Sequence, residues 1–117
     1  MVTSLAIAFV AILHLLFMAL EMFFWTRPLG RRIFGLTREL AGETAALAAN
    51  QGLYNGFLAA GLIWGLVAAE QTTAISTFFL SCVIVAGVFG AITAKRTILY
   101  IQALPGAIAL AMVLLSG

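Results

Sequence analysis

The chain has little of what a water-soluble domain needs. Of its 117 residues only 9% are charged, while 64% are hydrophobic. Soluble domains carry about 25% charged residues and roughly 45–50% apolar ones. The few polar groups are too scarce to cover a surface facing water. The composition therefore excludes an ordinary soluble enzyme or binding domain and predicts a chain that is solvated by lipid.

Cysteine, histidine and acidic residues are also scarce, and each scarcity excludes a class of protein. The single cysteine, Cys82, has no partner for an intrachain disulfide or a redox pair. One histidine, His14, and four glutamates scattered along the chain do not make a metal-ligand set. We therefore expect no metal and no cofactor. A basic patch with interleaved aromatics is missing as well, so nucleic acid is not an expected partner.

Four long apolar stretches fill most of the chain and are the main positive signal. Each has about the 20 residues that a helix needs to cross a bilayer core of about 30 Å. Backbone polar groups in lipid must be satisfied within each segment, so the stretches should be helices. We predict an all-α fold, an integral membrane four-helix bundle forming a single transmembrane domain over residues 1–117. The predicted spans are residues 3–25, 45–69, 73–94 and 98–116.

The basic residues set the predicted orientation. All six lie in two short stretches, residues 27–38 and 95–96, which are the first and third connections. Loops rich in Lys and Arg stay in the cytoplasm. The basic loops are therefore predicted to be cytoplasmic and both termini outside. We expect a multi-pass protein of the cell membrane, the inner membrane if the source is bacterial, with lipid as a partner.

Polar residues inside these spans are the candidate functional groups, because ionisable residues in membranes usually face a bundle interior or a pocket. Span one carries His14 and Glu21, seven residues apart on one helical face. Span two carries two neighbouring polar stripes, and span four contains Pro105, which predicts a kink. The inner-leaflet ends of the spans should bring these groups to similar depth around an inward-facing polar cavity. The predicted substrate-binding or proton-coupling residues are His14, Glu21, Trp25, Asn50, Gln51, Tyr54, Asn55 and Gln102.

Three sequence stretches resemble the signature of a small bacterial membrane family, domain of unknown function 1304. They are EMFFW at residues 21–25, NQGLYNG at residues 50–56 and CVIVAG at residues 82–87. The resemblance covers nearly the whole chain. It implies a four-span integral membrane protein and no particular activity.

Three functions remain open from the sequence. The first is a small carrier or binder of a hydrophobic or cationic molecule, acting as a homodimer and exchanging its ligand for a proton at Glu21. The size and span count are similar to those of small multidrug transporters. The second is a membrane enzyme that uses His14 and Glu21 as an acid/base pair on a lipid-like substrate. The third is a structural or assembly subunit whose polar residues only join helices.

Overall fold

The computed structural model describes residues 1–116, and over those residues the chain is all-helical, as predicted. Each of the four apolar stretches is helical, and a short additional helix lies in the first connection. The elements are α1 (Val2–Phe23), α2 (Pro28–Phe34), α3 (Arg38–Val67), a 3₁₀ turn (Ala69–Gln71), α4 (Thr72–Thr93), a π-helical turn (Leu99–Ala103) and α5 (Leu104–Ser116).

Three of the described helical segments are long and apolar enough to cross a membrane. They are Val2–Phe23, Ala69–Thr93 and Leu99–Ser116. Their length and composition indicate a multi-pass membrane protein. Helix α3 is longer than any of them, at 30 residues, but its asparagines and glutamine make it less apolar, so its crossing of the membrane stays a prediction.

The chain divides into two compact units. The first contains Met1–Ile12 and the chain from Leu58 onward. Its interior is an apolar cluster contributed by the first turns of α1, the second part of α3, and α4 and α5. Lipid tails are as apolar as these side chains, so close van der Waals packing stabilises such a cluster. Its buried members are Ile7, Val10, Ala11, Leu62, Leu80, Val83, Ala109 and Val113.

The second unit, Leu13–Phe57, contains the end of α1, all of α2 and the first part of α3. Helix α2 begins at Pro28, a residue suited to the first helical turn because it needs no hydrogen-bond acceptor there. It ends at Gly35, whose left-handed φ of 65° is costly for residues with a side chain. Thr37 then starts α3, since its Oγ1 accepts a hydrogen bond of 3.1 Å from the Leu40 N–H.

Helix α3 runs without interruption from Arg38 to Val67. At 1.5 Å per residue it is about 45 Å long, which exceeds a hydrocarbon core of about 30 Å. It begins seven residues before the span predicted at residues 45–69. Helix α3 therefore places Glu39 and Glu43 well before the polar cluster that begins at Asn50.

The chain before Pro105 forms a π-helical turn instead of a regular α-helix. The Leu104 N–H bonds the carbonyl of Leu99, five residues earlier. Helix α5 follows directly, with Pro105 as its second residue, where a missing N–H is tolerated. The irregularity that Pro105 predicts in the fourth stretch thus coincides with a wide turn just ahead of it.

Candidate functional site

Glu21 and Asn55 form the polar centre of the second unit. Glu21 lies in the last turn of α1 and Asn55 in α3. The Asn55 Nδ2 donates a hydrogen bond of 2.5 Å to Glu21 Oε1. Asn55 is only 5% exposed, so its amide is directed into the protein. Hydrogen bonds to a carboxylate are shorter and stronger than those between neutral groups. The pair is therefore a specific junction between α1 and α3.

Two glycines of α3 make this close approach of the helices feasible. A Cβ built on Gly52 would lie 2.6 Å from Met22 Cγ and 3.1 Å from Glu21 Cβ. A Cβ on Gly56 would lie 2.8 Å from Met18 Sδ. Small residues four apart commonly let membrane helices pack this closely. The glycines thus bring α3 against α1 and leave thioether side chains beside the polar pair.

His14 is completely buried, with 0% of its surface exposed, on the same helix as Glu21. Its ring packs edge-on against Phe17, with centroids 5.3 Å apart. Seven residues separate it from Glu21, which corresponds to about 10.5 Å along the helix axis. A general acid and base must each reach the reacting proton within about 2.6–3.2 Å or through one water. The distance along α1 therefore does not favour His14 and Glu21 as a direct catalytic pair.

Trp25 joins the segments at the end of α1. Its Nε1–H donates a 3.0 Å hydrogen bond to Thr44 Oγ1, which donates a 2.7 Å bond to the carbonyl of Leu40. The indole also packs on Phe34 of α2, with ring centroids 4.8 Å apart. The sequence did not predict the contacts of Trp25 with Thr44 and Phe34. These contacts give Trp25 a positioning role, and its predicted part in ligand binding stays a prediction.

Asn50, Gln51 and Tyr54 are exposed on α3. Asn50 and Tyr54 lie away from the face that carries Asn55, whereas Gln51 lies one helical turn before Asn55. Each helical residue turns by about 100°, so Asn50 and Tyr54 share a face while Asn55 lies about 140° from Asn50. We call the exposed face of α3 in the second unit the outer stripe. Its residues follow alternating spacings of four and three, and they are Glu43, Leu47, Asn50, Tyr54 and Phe57.

Gln102 lies outside this arrangement. It belongs to the π-helical turn of the first unit and is partly buried there. Of the eight residues predicted to form the site, the structure joins Glu21 and Asn55 by a direct hydrogen bond. It assigns Asn50 and Tyr54 to the outer stripe.

An open apolar groove runs along α4 in the first unit. It has a volume of about 500 Å³ and is lined by Phe78, Ser81, Cys82, Val85, Ala86 and Phe89. All six residues belong to one helix, and the lining is almost entirely apolar. Such a surface suits contact with acyl chains.

Apolar helices of membrane-spanning length together with a carboxyl–amide pair define a multi-pass membrane protein with a polar centre between helices. The chain belongs to the family described as Protein of unknown function (DUF1304), whose model matches residues 8–114. The match confirms the resemblance seen in the sequence, and it spans every predicted site residue. No curated protein and no solved structure matches the chain.

Proposed function

We propose that the protein is a carrier in which Glu21 binds a small cationic, largely hydrophobic molecule and exchanges it for a proton. The observation that carries this proposal is the hydrogen bond between Asn55 and Glu21. A carboxyl group in a membrane helix is expensive to keep and usually marks a substrate or proton pathway. The Asn55 amide occupies one oxygen, and the other oxygen accepts the cation or the proton.

The proposed topology has four spans, with α3 as the second, both termini outside and both basic loops in the cytoplasm. The distribution of all six basic residues between residues 27–38 and 95–96 supports it. Glu21 then lies in the last turn of α1, in its cytoplasmic half and close to the first basic connection. We assign the protein to the cytoplasmic membrane, the inner membrane of a bacterial cell.

The chemistry of exchange follows from charge. A deprotonated Glu21 attracts a cation, and a protonated Glu21 does not, so ligand and proton compete for one group. Met18 and Met22 pack beside the pair, as the close approaches at Gly52 and Gly56 indicate. Thioether side chains adapt to varied apolar ligands. A large, weakly hydrated organic cation fits this combination better than a strongly hydrated metal ion.

The test uses the reconstituted protein and tetraphenylphosphonium as the probe cation. We expect wild-type protein to bind the probe, to bind it more weakly as pH falls, and to release protons on binding. Glu21→Gln should abolish both binding and proton release. Glu70→Gln is the matched control, because Glu70 is an exposed glutamate in the 3₁₀ turn after α3 and lies outside the outer stripe. Glu21→Gln protein that binds the probe like wild type would contradict the proposal.

The outer stripe supports a homodimer as the working form. A lipid-facing Asn50 would be unfavourable, whereas a second copy related by a twofold axis along the membrane normal places Asn50 beside its own counterpart. Amide side chains both donate and accept hydrogen bonds, so they pair with themselves. Leu47, Tyr54 and Phe57 follow the spacing typical of helix–helix seams.

Cysteine cross-linking tests this interface in a Cys82→Ser background. Single cysteines at Leu47, Asn50, Tyr54 and Phe57 should form disulfide-linked dimers in native membranes. The controls are cysteines at Gln51 and Leu53, which are exposed but off the stripe. Equal cross-linking at stripe and control positions would rule out this seam. It would leave the Glu21 proposal untouched, since that proposal is tested by binding.

A further inference from the structure

Helix α2 carries an unusual concentration of positive charge directly after a membrane-spanning helix. Arg27, Arg31, Arg32 and Arg38 fall within twelve residues, and no acidic residue lies between Glu21 and Glu39. Helix α1 ends at Phe23 and α2 begins at Pro28. A four-residue link keeps α2 at the depth where the first span leaves the bilayer. A basic segment in this position is well placed to meet lipid headgroups.

One side of α2 is fixed against the protein. Gly30 is buried, and a Cβ there would collide with the backbone carbonyl of Phe24. Phe34, one turn later, packs on the Trp25 ring. These two contacts hold a seven-residue helix that would be too short to be stable alone. These contacts therefore determine which side of α2 faces away from the protein.

That other side combines apolar and basic residues. Leu29 and Ile33, one turn apart, are 49% and 52% exposed. Arg32 lies beside them on the helix and is exposed as well. The Nε of Arg31 is enclosed and has no hydrogen-bond partner in the part of the chain that the structure describes. An apolar edge flanked by guanidinium groups is typical of helices that lie in the membrane surface.

We propose that α2 is an in-plane helix that binds the phosphate of anionic phospholipids. Leu29 and Ile33 enter the upper acyl region, while Arg31 and Arg32 contact headgroup oxygens. Guanidinium groups bind phosphate in a bidentate geometry that lysine does not reproduce. Charge complementarity selects a lipid surface as the occupant, since the segment is purely basic and adjoins a membrane span.

The experiment follows Trp25, which contacts α2 through Phe34. The chain has two tryptophans, Trp25 and Trp64, so a Trp64→Phe background isolates its fluorescence. The protein is reconstituted in vesicles with dibrominated phosphatidylglycerol or dibrominated phosphatidylcholine as the quencher. We expect phosphatidylglycerol to quench Trp25 preferentially. Each surface-adjacent arginine contributes about a fivefold preference for anionic lipid, so Arg31→Gln/Arg32→Gln should reduce the preference by at least about fivefold.

Two control variants separate a site on α2 from general attraction by charge. Lys95→Gln/Arg96→Gln removes the same charge from the other basic connection and should leave the Trp25 preference within about twofold of wild type. Arg31→Lys/Arg32→Lys retains charge without the bidentate geometry and should recover only part of the preference. An unchanged preference in Arg31→Gln/Arg32→Gln would overturn the proposal. An equal loss in Lys95→Gln/Arg96→Gln would overturn it too, because it would mean general attraction only.

A separate measurement tests whether Leu29 and Ile33 insert into the bilayer. Leu29→Ser/Ile33→Ser should shift Trp25 emission to the red and weaken quenching by both brominated lipids, because the helix would rise toward water. Unchanged emission in this variant would contradict the in-plane placement. Neither result depends on ligand binding at Glu21, so the lipid proposal and the carrier proposal can fail separately.

Discussion

The two compact units of the chain have interiors of opposite character. The first is held by large aliphatic side chains such as Leu62, Leu80 and Val83, each with 0% exposure. The interior of the second unit instead contains the polar side chains of His14, Glu21 and Asn55. It also carries three of the four glutamates and four of the six basic residues. The polar chemistry of the protein is thus concentrated in residues 13–57.

This contrast separates stability from function. Truncating any one of the closely packed apolar side chains lowers the free energy of unfolding, whether or not a ligand is bound. A carboxyl–amide pair between membrane helices contributes modestly to stability, typically about 0.6–1.7 kcal/mol, yet it is unfavourable to retain in lipid without a use. The second unit should therefore tolerate substitution better in stability assays and worse in binding assays.

The largest expected effect is on the apolar unit. Leu80→Ala removes a fully buried side chain from the centre of the cluster. We expect the free energy of unfolding to fall by about 3 kcal/mol, because truncations of buried leucine leave a cavity. Leu115, which is 88% exposed, gives the control Leu115→Ala. Unfolding in mixed detergent micelles measures both, and similar losses in the two variants would break the comparison.

The next effect tests the close approach of α3 to α1. Gly52→Ala places a methyl group against Met22 and Glu21, and overpacking of this kind costs about 1–3 kcal/mol. Gly42 is the matched control, since a Cβ there meets nothing within 4 Å. Gly42→Ala should raise stability by about 0.5–1 kcal/mol through helix propensity. The same unfolding assay measures both variants, and a gain in Gly52→Ala would show that this contact is loose.

A smaller effect is expected from the polar pair itself. Asn55→Leu removes the donor to Glu21 and should lower the free energy of unfolding by about 1 kcal/mol. Gln51→Leu, one helical turn away and exposed, should change it by less than about 0.5 kcal/mol. Cation binding by Asn55→Leu should weaken far more than its stability does. A stability loss matching that of Leu80→Ala would assign the pair to the structural core instead.

The smallest effect concerns the connection between α3 and α4. Ala69 has a left-handed φ of 53°, a conformation that costs a residue with a side chain about 1–2 kcal/mol. Ala69→Gly relieves that strain but adds about 0.5–1 kcal/mol of backbone entropy loss. We expect a net gain of about 0.5 kcal/mol in unfolding experiments, without change in cation binding. A loss of stability would show that the alanine methyl makes favourable contacts.

The helices were predicted well from the sequence, because a long apolar stretch in lipid must satisfy its own backbone hydrogen bonds and a helix does so. The path of α3 through Gly52 and Gly56 lies within the span predicted at residues 45–69, whereas its earlier start at Arg38 was not predicted. Helix α2 was not predicted. Pro28 at its start and Gly35 at its end are equally typical of a loop. Seven residues are too few for helical periodicity to distinguish a helix from a loop.

The candidate site was predicted only in part, because helical periodicity fixes which residues share a face and not which face meets a neighbour. Glu21 and Asn55 were both singled out, and they are in contact. Asn50 and Tyr54 were grouped with them by depth, but their stripe faces outward. Thr44, the acceptor for Trp25, was missed because a single threonine near a helix start gives no distinguishing pattern.

The π-helical turn at Leu99–Ala103 gives the fourth stretch one more residue per turn than an α-helix would contain. Removing a single residue there restores ordinary winding ahead of α5, whereas a deletion within α4 rotates everything beyond it by about 100°. A change of length should therefore be absorbed more readily in Leu99–Ala103 than in the regular helices, and a one-residue deletion series across residues 80–110 should find the π-helical turn more tolerant than α4 or α5.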